Sequence, residues 1–463
     1  MRSNSPIYIA NRFLNETEHK LIYNNKEIYI HQNNKYIRAD SEIINDKLIP
    51  FLLENELGDS INENKLRSIP LCIKALLKDH EYKTDEAKWL IDMEQPELNI
   101  PLKNGIISVH NHSDKYSFEY INKVSREFFT TKTIQTDYAP TVIANRFLQL
   151  VNEVFPEQDQ RDCFQEFIGL ACTRNMTFDK LAILFGMGAN GKSALFTAIK
   201  SMLGSDCYST LSLSDLEGKT QYNLTQLEAK FLNICDELPE SKKISTDKIK
   251  NITSGGELTI RQIREKPRKI KSYTKLLFAT NTLPDFEDKS DGTFRRIIIL
   301  YMPKQFTDEA SQDKRLVSEN FWTDSGEVSG IFNWALEGLI RLLNRGYFIE
   351  PETSKQLKSQ YRLNLNAERT FLLDNYEQTL NDTDRVSSFE LYKDYEEYCK
   401  DFGITKCNAI KLGQEVKRTF NKISKTNPIM DKNIGKKVRF WVGLKPMNRK
   451  TLQVEHIRKV LEN

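Results

Sequence analysis

No apolar run in this 463-residue chain approaches the ~18–20 residues needed to cross a bilayer, which argues against a helical membrane protein. The first residues, Met1-Arg-Ser-Asn-Ser-Pro6, carry no apolar signal core, so a cytoplasmic location without membrane attachment is expected. Cysteine is sparse. The seven (Cys72, Cys163, Cys172, Cys207, Cys235, Cys399, Cys407) are odd in number and form no C-x-x-C pair, which argues against a disulfide framework and a zinc site. The one metal-like pair, His110-x-His112, sits among Asn, Ser and Asp without further ligand types and reads as a solvated turn. Internal repeats and low-complexity linkers are missing. With 39% apolar and 28% charged residues the chain is an ordinary globular one, long enough for about three domains.

Net charge is only +3, but it is unevenly placed. From Asp401 to Asn463 there are 15 Lys/Arg against 5 Asp/Glu, an excess of +10. Such a tail suits a nucleic-acid partner, because phosphate neutralisation supplies most non-specific affinity. A solvated basic surface is the plainer alternative, and charge alone does not separate the two.

The most informative stretch is Leu181-Ala-Ile-Leu-Phe-Gly186-Met-Gly-Ala189-Asn190-Gly191-Lys192-Ser193, a G-x-x-x-x-G-K-S phosphate loop. An apolar run of strand length precedes it and a helical pattern follows. With Gly near 7% of residues, the fixed positions recur by accident in roughly one to two of a hundred chains this long, before that context is counted. Gly186, Ala189, Asn190 and Gly191 are expected to curl backbone N–H groups around phosphates at a helix N-terminus. Lys192 is expected to reach the β- and γ-phosphates of ATP, and the Ser193 hydroxyl to hold Mg²⁺.

Lys230-Phe-Leu-Asn-Ile-Cys-Asp236-Glu237 then offers an apolar strand ending in two carboxylates, 43 residues after Ser193. Asp236 is expected in the Mg²⁺ shell and Glu237 as the base for the attacking water. Lys275-Leu-Leu-Phe-Ala-Thr-Asn281 is a further strand ending in an amide that can sense a γ-phosphate. Gly292-Thr-Phe-Arg295-Arg296 places two guanidiniums before a β-run, suited to a phosphate across a subunit boundary. Between the acids and Asn281, residues 257–275 carry 7 basic and 2 acidic side chains in two alternating stretches. They read as a hairpin with Arg261, Arg264, Lys266 and Lys269 at and near its tip, able to track a nucleic-acid backbone.

The rest gives the organisation. Residues 1 to about 45 read as short strand-like pieces and Asn-rich turns, about 41–77 as helical, and 98–109 as a hairpin around Asn104-Gly105. The expected layout is multidomain α/β. It comprises a mixed α+β N-terminal domain (1–140), a helical collar (141–178), a P-loop ATPase core (179–348), and a helical linker with a basic C-terminal module (349–463).

In their order and spacing these motifs resemble superfamily-3 helicases of the poxvirus-type and phage/plasmid primase–helicase branch. Asn99-Ile-Pro-Leu-Lys-Asn104-Gly105 and Asp137-Tyr-Ala-Pro140 look like the domain that precedes the helicase in that family. Ser329-Gly-Ile-Phe-Asn-Trp334 and Gln360-Tyr-Arg362 look like its helical continuation, and Ser387-Ser-Phe-Glu-Leu-Tyr392 like its closing winged helix. The resemblance implies an AAA+ type core in a hexameric ring, ATP at subunit interfaces, Arg295 or Arg296 acting on the neighbour's nucleotide, and DNA in the channel. That DNA is single-stranded or forked, or an origin duplex. Fewer than about 100 residues precede Asn104-Gly105 and no D-x-D pair is found there (Asp92 and Glu94 lie in a helical-looking context), so primase activity is not expected in this chain and a separate primase or loader is. Two rivals stay open: an origin-binding initiator whose ATPase drives assembly or melting, and a P-loop small-molecule kinase.

Overall fold

The computed structural model describes residues 5–447 apart from 18, 58–61, 84–86, 91–97, 124, 218–221, 237–243, 262–265, 285, 289, 308–312, 366, 403 and 432–435. Glu237, Arg264, Asp92, Glu94 and the end of the basic tail (448–463) therefore lie outside the described residues. The chain divides into two compact units, Met1–Lys355 and Gln356–Asn463.

The first unit begins with a helix where strand-like pieces were expected. In α1 (Pro6–Glu16) the Ser5 side chain accepts from the Tyr8 N–H and Pro6 takes the first turn, a start signal that outweighs the Tyr/Ile content. Strands β1 (Leu21–Asn24), β2 (Glu27–Gln32) and β3 (Lys35–Arg38) form an antiparallel meander. Its two-residue turns hold Asn25-Lys26 and Asn33-Asn34 at positive φ, as the twist of tight hairpins requires. Helices α2 (Ser41–Glu54) and α3 (Glu63–Lys78) close over it, and Phe13, Ile30, Leu48, Ile69 and Ile73 make a core of their own.

Strands β4 (Lys88–Trp89), β5 (Leu98–Pro101), β6 (Ile106–His112), β7 (Lys115–Ile121) and β8 (Phe128–Phe129) follow, with β5 and β6 antiparallel around the Asn104-Gly105 turn and β6 and β7 antiparallel around Ser113-Asp114. His110 and His112 sit on β6 rather than in a turn, their rings stacked with centroids 5.7 Å apart. Among the described residues no group of three or more metal-ligating side chains is found there or elsewhere. Ile100, Leu102, Ile107 and Val109 belong to the same buried cluster as Phe147, Phe164, Leu195 and Leu336. Packing therefore runs unbroken through residue 140.

Helices α4 (Asn145–Val154) and α5 (Gln158–Ala171) lead into a five-stranded sheet. Its elements are β9 (Leu181–Phe185), α6 (Lys192–Leu203), β10 (Tyr208–Ser209), α7 (Leu213–Glu217), β11 (Leu232–Cys235), α8 (Asp247–Thr253), β12 (Glu257–Ile260), β13 (Arg268–Lys271), β14 (Lys275–Thr280), α9 (Asp291–Phe294) and β15 (Ile297–Tyr301). The sheet order is β10-β11-β14-β9-β15, every pair parallel, while β12 and β13 form a separate antiparallel hairpin. Strands β9 and β14 are almost wholly buried, which their continuous apolar sequences anticipate. On the outer edge of β15, the Tyr301 N–H donates to Gln160 Oε1 at 2.8 Å and the Ile299 carbonyl accepts from the Ser354 hydroxyl, so buried backbone groups are satisfied.

After α10 (Glu319–Asp324), α11 (Glu327–Arg345) packs along α5. Glu166, 1% exposed, accepts from Arg341 Nε at 2.8 Å and from Arg345 Nη1 at 3.0 Å, tying the two helices by a buried charge.

Helix α12 (Glu352–Leu365) carries the chain into the second unit. There α13 (Ala367–Asn375), β16 (Tyr376–Gln378), β17 (Arg385–Ser387), α14 (Ser388–Asp401), α15 (Ala409–Thr419), β18 (Ser424–Lys425), β19 (Ile429–Asp431), β20 (Lys436–Val438), β21 (Phe440–Val442) and β22 (Leu444–Pro446) surround Phe371, Tyr395, Leu412, Val416 and Trp441. Strands β17-β21-β18 form a small antiparallel sheet, and β19 pairs with β20 as a hairpin.

Candidate active site

Strand β9 lies between β14 and β15, while the chain leaving it crosses to the far edge at β10. That reversal opens a crevice at the carboxyl ends of the strands, where α/β sheets bind ligands. The loop from Gly186 to Gly191 fills it. The Gly186 N–H donates to the Thr280 carbonyl at 3.2 Å, pinning the loop to β14. A Cβ on Gly186 would stand 2.2 Å from Asn190 Nδ2 and 2.5 Å from the Met302 carbonyl oxygen, so only glycine fits. Ala189 (φ 53°) and Gly191 (φ 86°) are left-handed and turn the chain into α6. The result is a backbone cradle at the positive end of a three-turn helix, which fits a polyphosphate.

Lys192 opens that helix. Its ammonium donates to the Gly186 carbonyl at 2.6 Å, to the Thr280 carbonyl at 3.3 Å, and to Asn281 Oδ1. Burial pushes its pKa below the usual lysine value. The loop, the lysine and the Asn281 strand, separated by almost ninety residues of sequence, are thus in direct contact. Among the described residues Lys192 thus bonds only to neutral oxygens, and an anionic phosphate would compete for it strongly.

Asp236 follows β11 directly, one strand beyond β14, and is exposed at the same end of the sheet. Ser193 and Asp236 are oxygen donors of the type Mg²⁺ takes alongside phosphate and water, and they do not form a cage by themselves. Asn233, on the same strand, is fully buried and bonds Leu211 through both ends of its amide at 2.8 Å, holding β11 to the segment after β10.

Beside the loop lies a cavity of about 370 Å³ bordered by Arg146, Leu150, Asn190, Phe306, Leu316 and Val317. It is chiefly apolar, of a size for a heterocycle next to a phosphate site. Asn190 is 1% exposed, and neither atom of its amide has a partner among the described residues. Sequence reading missed the cavity, because its wall comes from α4 and from residues after β15. Helix α4 has no cap of its own; Glu327, from α11, accepts from the Arg146 and Phe147 N–H groups, both at 2.9 Å. No local pattern announces that.

Arg295 and Arg296 stand elsewhere. They precede β15, whose five residues put roughly 16 Å between them and the carboxyl end of the sheet. Arg296 donates to the Gly292 carbonyl at 2.5 Å and approaches Asp179 at 3.5 Å, with a side chain only 12% exposed. Arg295 is exposed.

In the hairpin, the described basic residues are not alike. Lys269 is exposed but paired with Glu257 at 2.8 Å across the strands, and Arg268 forms a two-bond pair with Glu228. Lys266 is exposed and Arg261 leaves the end of β12. Arg264 belongs to the tip outside the described residues.

Comparisons with known proteins agree at a coarse level. Residues 184–296 match DUF5906, a family of unknown function. A protein of Acanthamoeba polyphaga mimivirus named as a helicase is 26% identical over 301 residues, 60% of this chain and 31% of its own length. An invertebrate iridescent virus 6 protein, also named as a helicase, is 22% identical over 65% of this chain and 34% of its own. An African swine fever virus protein named as a primase is 20% identical over 48% of this chain and 24% of its own. The chain spans about a third or less of these relatives. In fold it is similar to the apo C-terminal region of NrS-1, with a TM-score of 0.53 at 11% identity, covering 95% of this chain and 99% of that one. The similarity thus reaches viral proteins named as helicases and as primases, and no helix among the described residues is long and apolar enough to cross a membrane.

Proposed function

We propose that the chain is the ATP-hydrolysing motor of a replicative DNA helicase of a virus, phage or mobile element. The observation that carries this is the Lys192 contact, which joins the phosphate loop to Asn281 at the carboxyl end of adjacent parallel strands. On this reading ATP lies along Gly186–Ser193, with its base toward the Leu150–Phe306 cavity. Lys192 exchanges the Gly186 and Asn281 oxygens for phosphate oxygens, and Asn281 is freed to contact the γ-phosphate or the attacking water. Ser193 and Asp236 would hold Mg²⁺, which neutralises phosphate charge, and Glu237 would take the proton from water.

The finer parts of the reading are an AAA+ type superfamily-3 core, a hexameric ring, a winged helix in the second unit, and an arginine acting in trans. The distance of Arg295 and Arg296 from the loop of their own chain supports the last of these. The exposure of Arg295 against the internal bonds of Arg296 favours Arg295. The β12–β13 hairpin, inserted between the Asp236 and Asn281 strands, suits coupling of nucleotide state to a DNA strand through Arg261, Arg264, Lys266 and Lys269. The basic second unit also supports a role as an origin-binding initiator.

Steady-state ATP hydrolysis with and without single-stranded DNA tests the proposal. DNA should stimulate turnover, and Glu237→Gln should retain ATP binding while abolishing hydrolysis. Stimulation by DNA without fork unwinding would favour the initiator. Phosphoryl transfer to a nucleoside, with no response to DNA, would defeat the motor.

A further inference from the structure

The cations of the second unit divide into two sets. Some of them are neutralised: Lys411 on α15 by Glu368 at 2.6 Å, Lys406 in the loop before α15 by Glu396, and Arg418 on α15 by Glu415 at 3.5 Å. Lys417, Lys425 and Arg439 differ. They come from α15, β18 and the residue before β21, all three are exposed, and no hydrogen bond or ion pair of their side chains is found among the described residues.

Sheet register explains their convergence. Lys425 pairs with Trp441 across β18–β21, and Arg439 lies two residues before Trp441, on the same face. The Lys425 ammonium sits 4.5 Å from the centroid of the Trp441 ring and 3.8 Å from where a Cβ on Gly413 would stand, against α15. Lys417 is one helical turn beyond Gly413. Repulsion from Arg439 and Lys417 adds to burial in lowering the Lys425 pKa. Arg385, by contrast, stacks on Phe440 across the other face, 5.2 Å from its centroid.

We propose that Lys417, Lys425 and Arg439 form a phosphate-backbone contact for duplex DNA, read without regard to base sequence. Three like charges near one another, one of them held over the buried Trp441 ring, with the neighbouring carboxylates turned to other lysines and arginines, cost repulsion that successive phosphates relieve. The mixture suits a backbone: two lysine point charges and one arginine fork engage separate phosphates, whereas a single carboxylate would satisfy one cation. The contact extends the DNA-binding reading of the second unit but needs no ATP chemistry, so the two can fail separately.

The test uses the full chain without nucleotide. Binding to two fluorescent 30-base-pair duplexes of unrelated sequence is measured across a salt series for the parent and for the Lys417→Ala/Lys425→Ala/Arg439→Ala variant. The expected result is weaker binding to both duplexes and a fall of about 2–3 in the slope of log affinity against log salt, at roughly 0.9 for each phosphate no longer neutralised. A Lys417→Arg/Lys425→Arg variant should keep the parent slope, and thermal melting should show all three proteins folded. Basal ATPase, read on the same samples, should not change. An unchanged slope in the alanine variant, a loss confined to one duplex, or full competition by polyglutamate at equal charge would each overturn the proposal.

Discussion

The two ends of the five-stranded sheet are built from the same strands yet treat their polar groups in opposite ways. At the carboxyl end the groups are under-committed. The buried Asn190 amide has no partner among the described residues and Ala189 is left-handed, beside the Lys192 bonds to the Gly186 and Thr280 carbonyls and to Asn281 Oδ1. At the amino end they are committed: Arg296 to Gly292 and Asp179, Lys230 to the Ser205 and Asp206 carbonyls, and the buried Lys275 to Thr173 and Tyr273 carbonyls. Arg295 is the exception. What sets the carboxyl end apart is the buried Asn190 amide with neither atom partnered among the described residues and the left-handed Ala189, features expected where local strain serves function.

If that contrast is right, the largest effect comes from Lys192→Ala. It should lower ATP hydrolysis on the order of 10³-fold while shifting the melting temperature little, because Lys192 is only partly buried and one of its three acceptors, Asn281, is exposed. A large stability loss with modest kinetic loss would reverse the assignment of the two ends. The arginine pair sharpens the comparison next. Arg295→Ala should reduce hydrolysis by about 10²–10³-fold with an unchanged melting temperature. Arg296→Ala should cost about 1–2 kcal/mol of stability, because it removes the bonds to the Gly292 carbonyl and Asp179. Mixing Arg295→Ala with Lys192→Ala protein should restore part of the activity; mixed rings that stay inactive would count against action between subunits.

Within the loop, Gly186→Ala should destabilise by about 1–3 kcal/mol and weaken nucleotide binding, since its Cβ would meet the Met302 backbone. Gly188→Ala should change neither, because nothing lies within 4 Å of a Cβ there. Equal effects at the two glycines would mean that the loop adapts rather than being pinned by β14. The smallest effect concerns the amino end. Burial holds the Lys275 pKa well below its ordinary value, so between that value and about 10.4 the unfolded chain binds more protons than the folded one. This group therefore makes stability rise with pH across that window. The difference in melting temperature between the parent and Lys275→Met should change accordingly between pH 7 and pH 9, with the parent gaining. A constant difference would mean that Lys275 stays charged in the fold.

Much of the site was legible because its parts are contiguous. A strand, a glycine loop and a helix start are written in thirteen successive residues, and Asp236 and Asn281 each end an apolar run that a buried parallel strand must have. Helix α1 was misread because the Tyr/Ile content of the first residues outweighed Ser5-Pro6, a two-residue signal. In the basic hairpin, counting charges could not tell Lys269, ion-paired with Glu257, from Lys266.

What sequence determined by itself is the set of chemical groups and their order along the chain, since period, caps and turn residues act over a few neighbours. Tertiary structure alone decided which groups meet. It set Lys192 against Asn281, lent Glu327 to the start of α4, opened the cavity beside Asn190, and separated Arg295 from Arg296 by the presence of Asp179. Each of these depends on strand order and helix packing between residues remote in sequence, where the free energy of contact is set by burial and geometry rather than by local propensity.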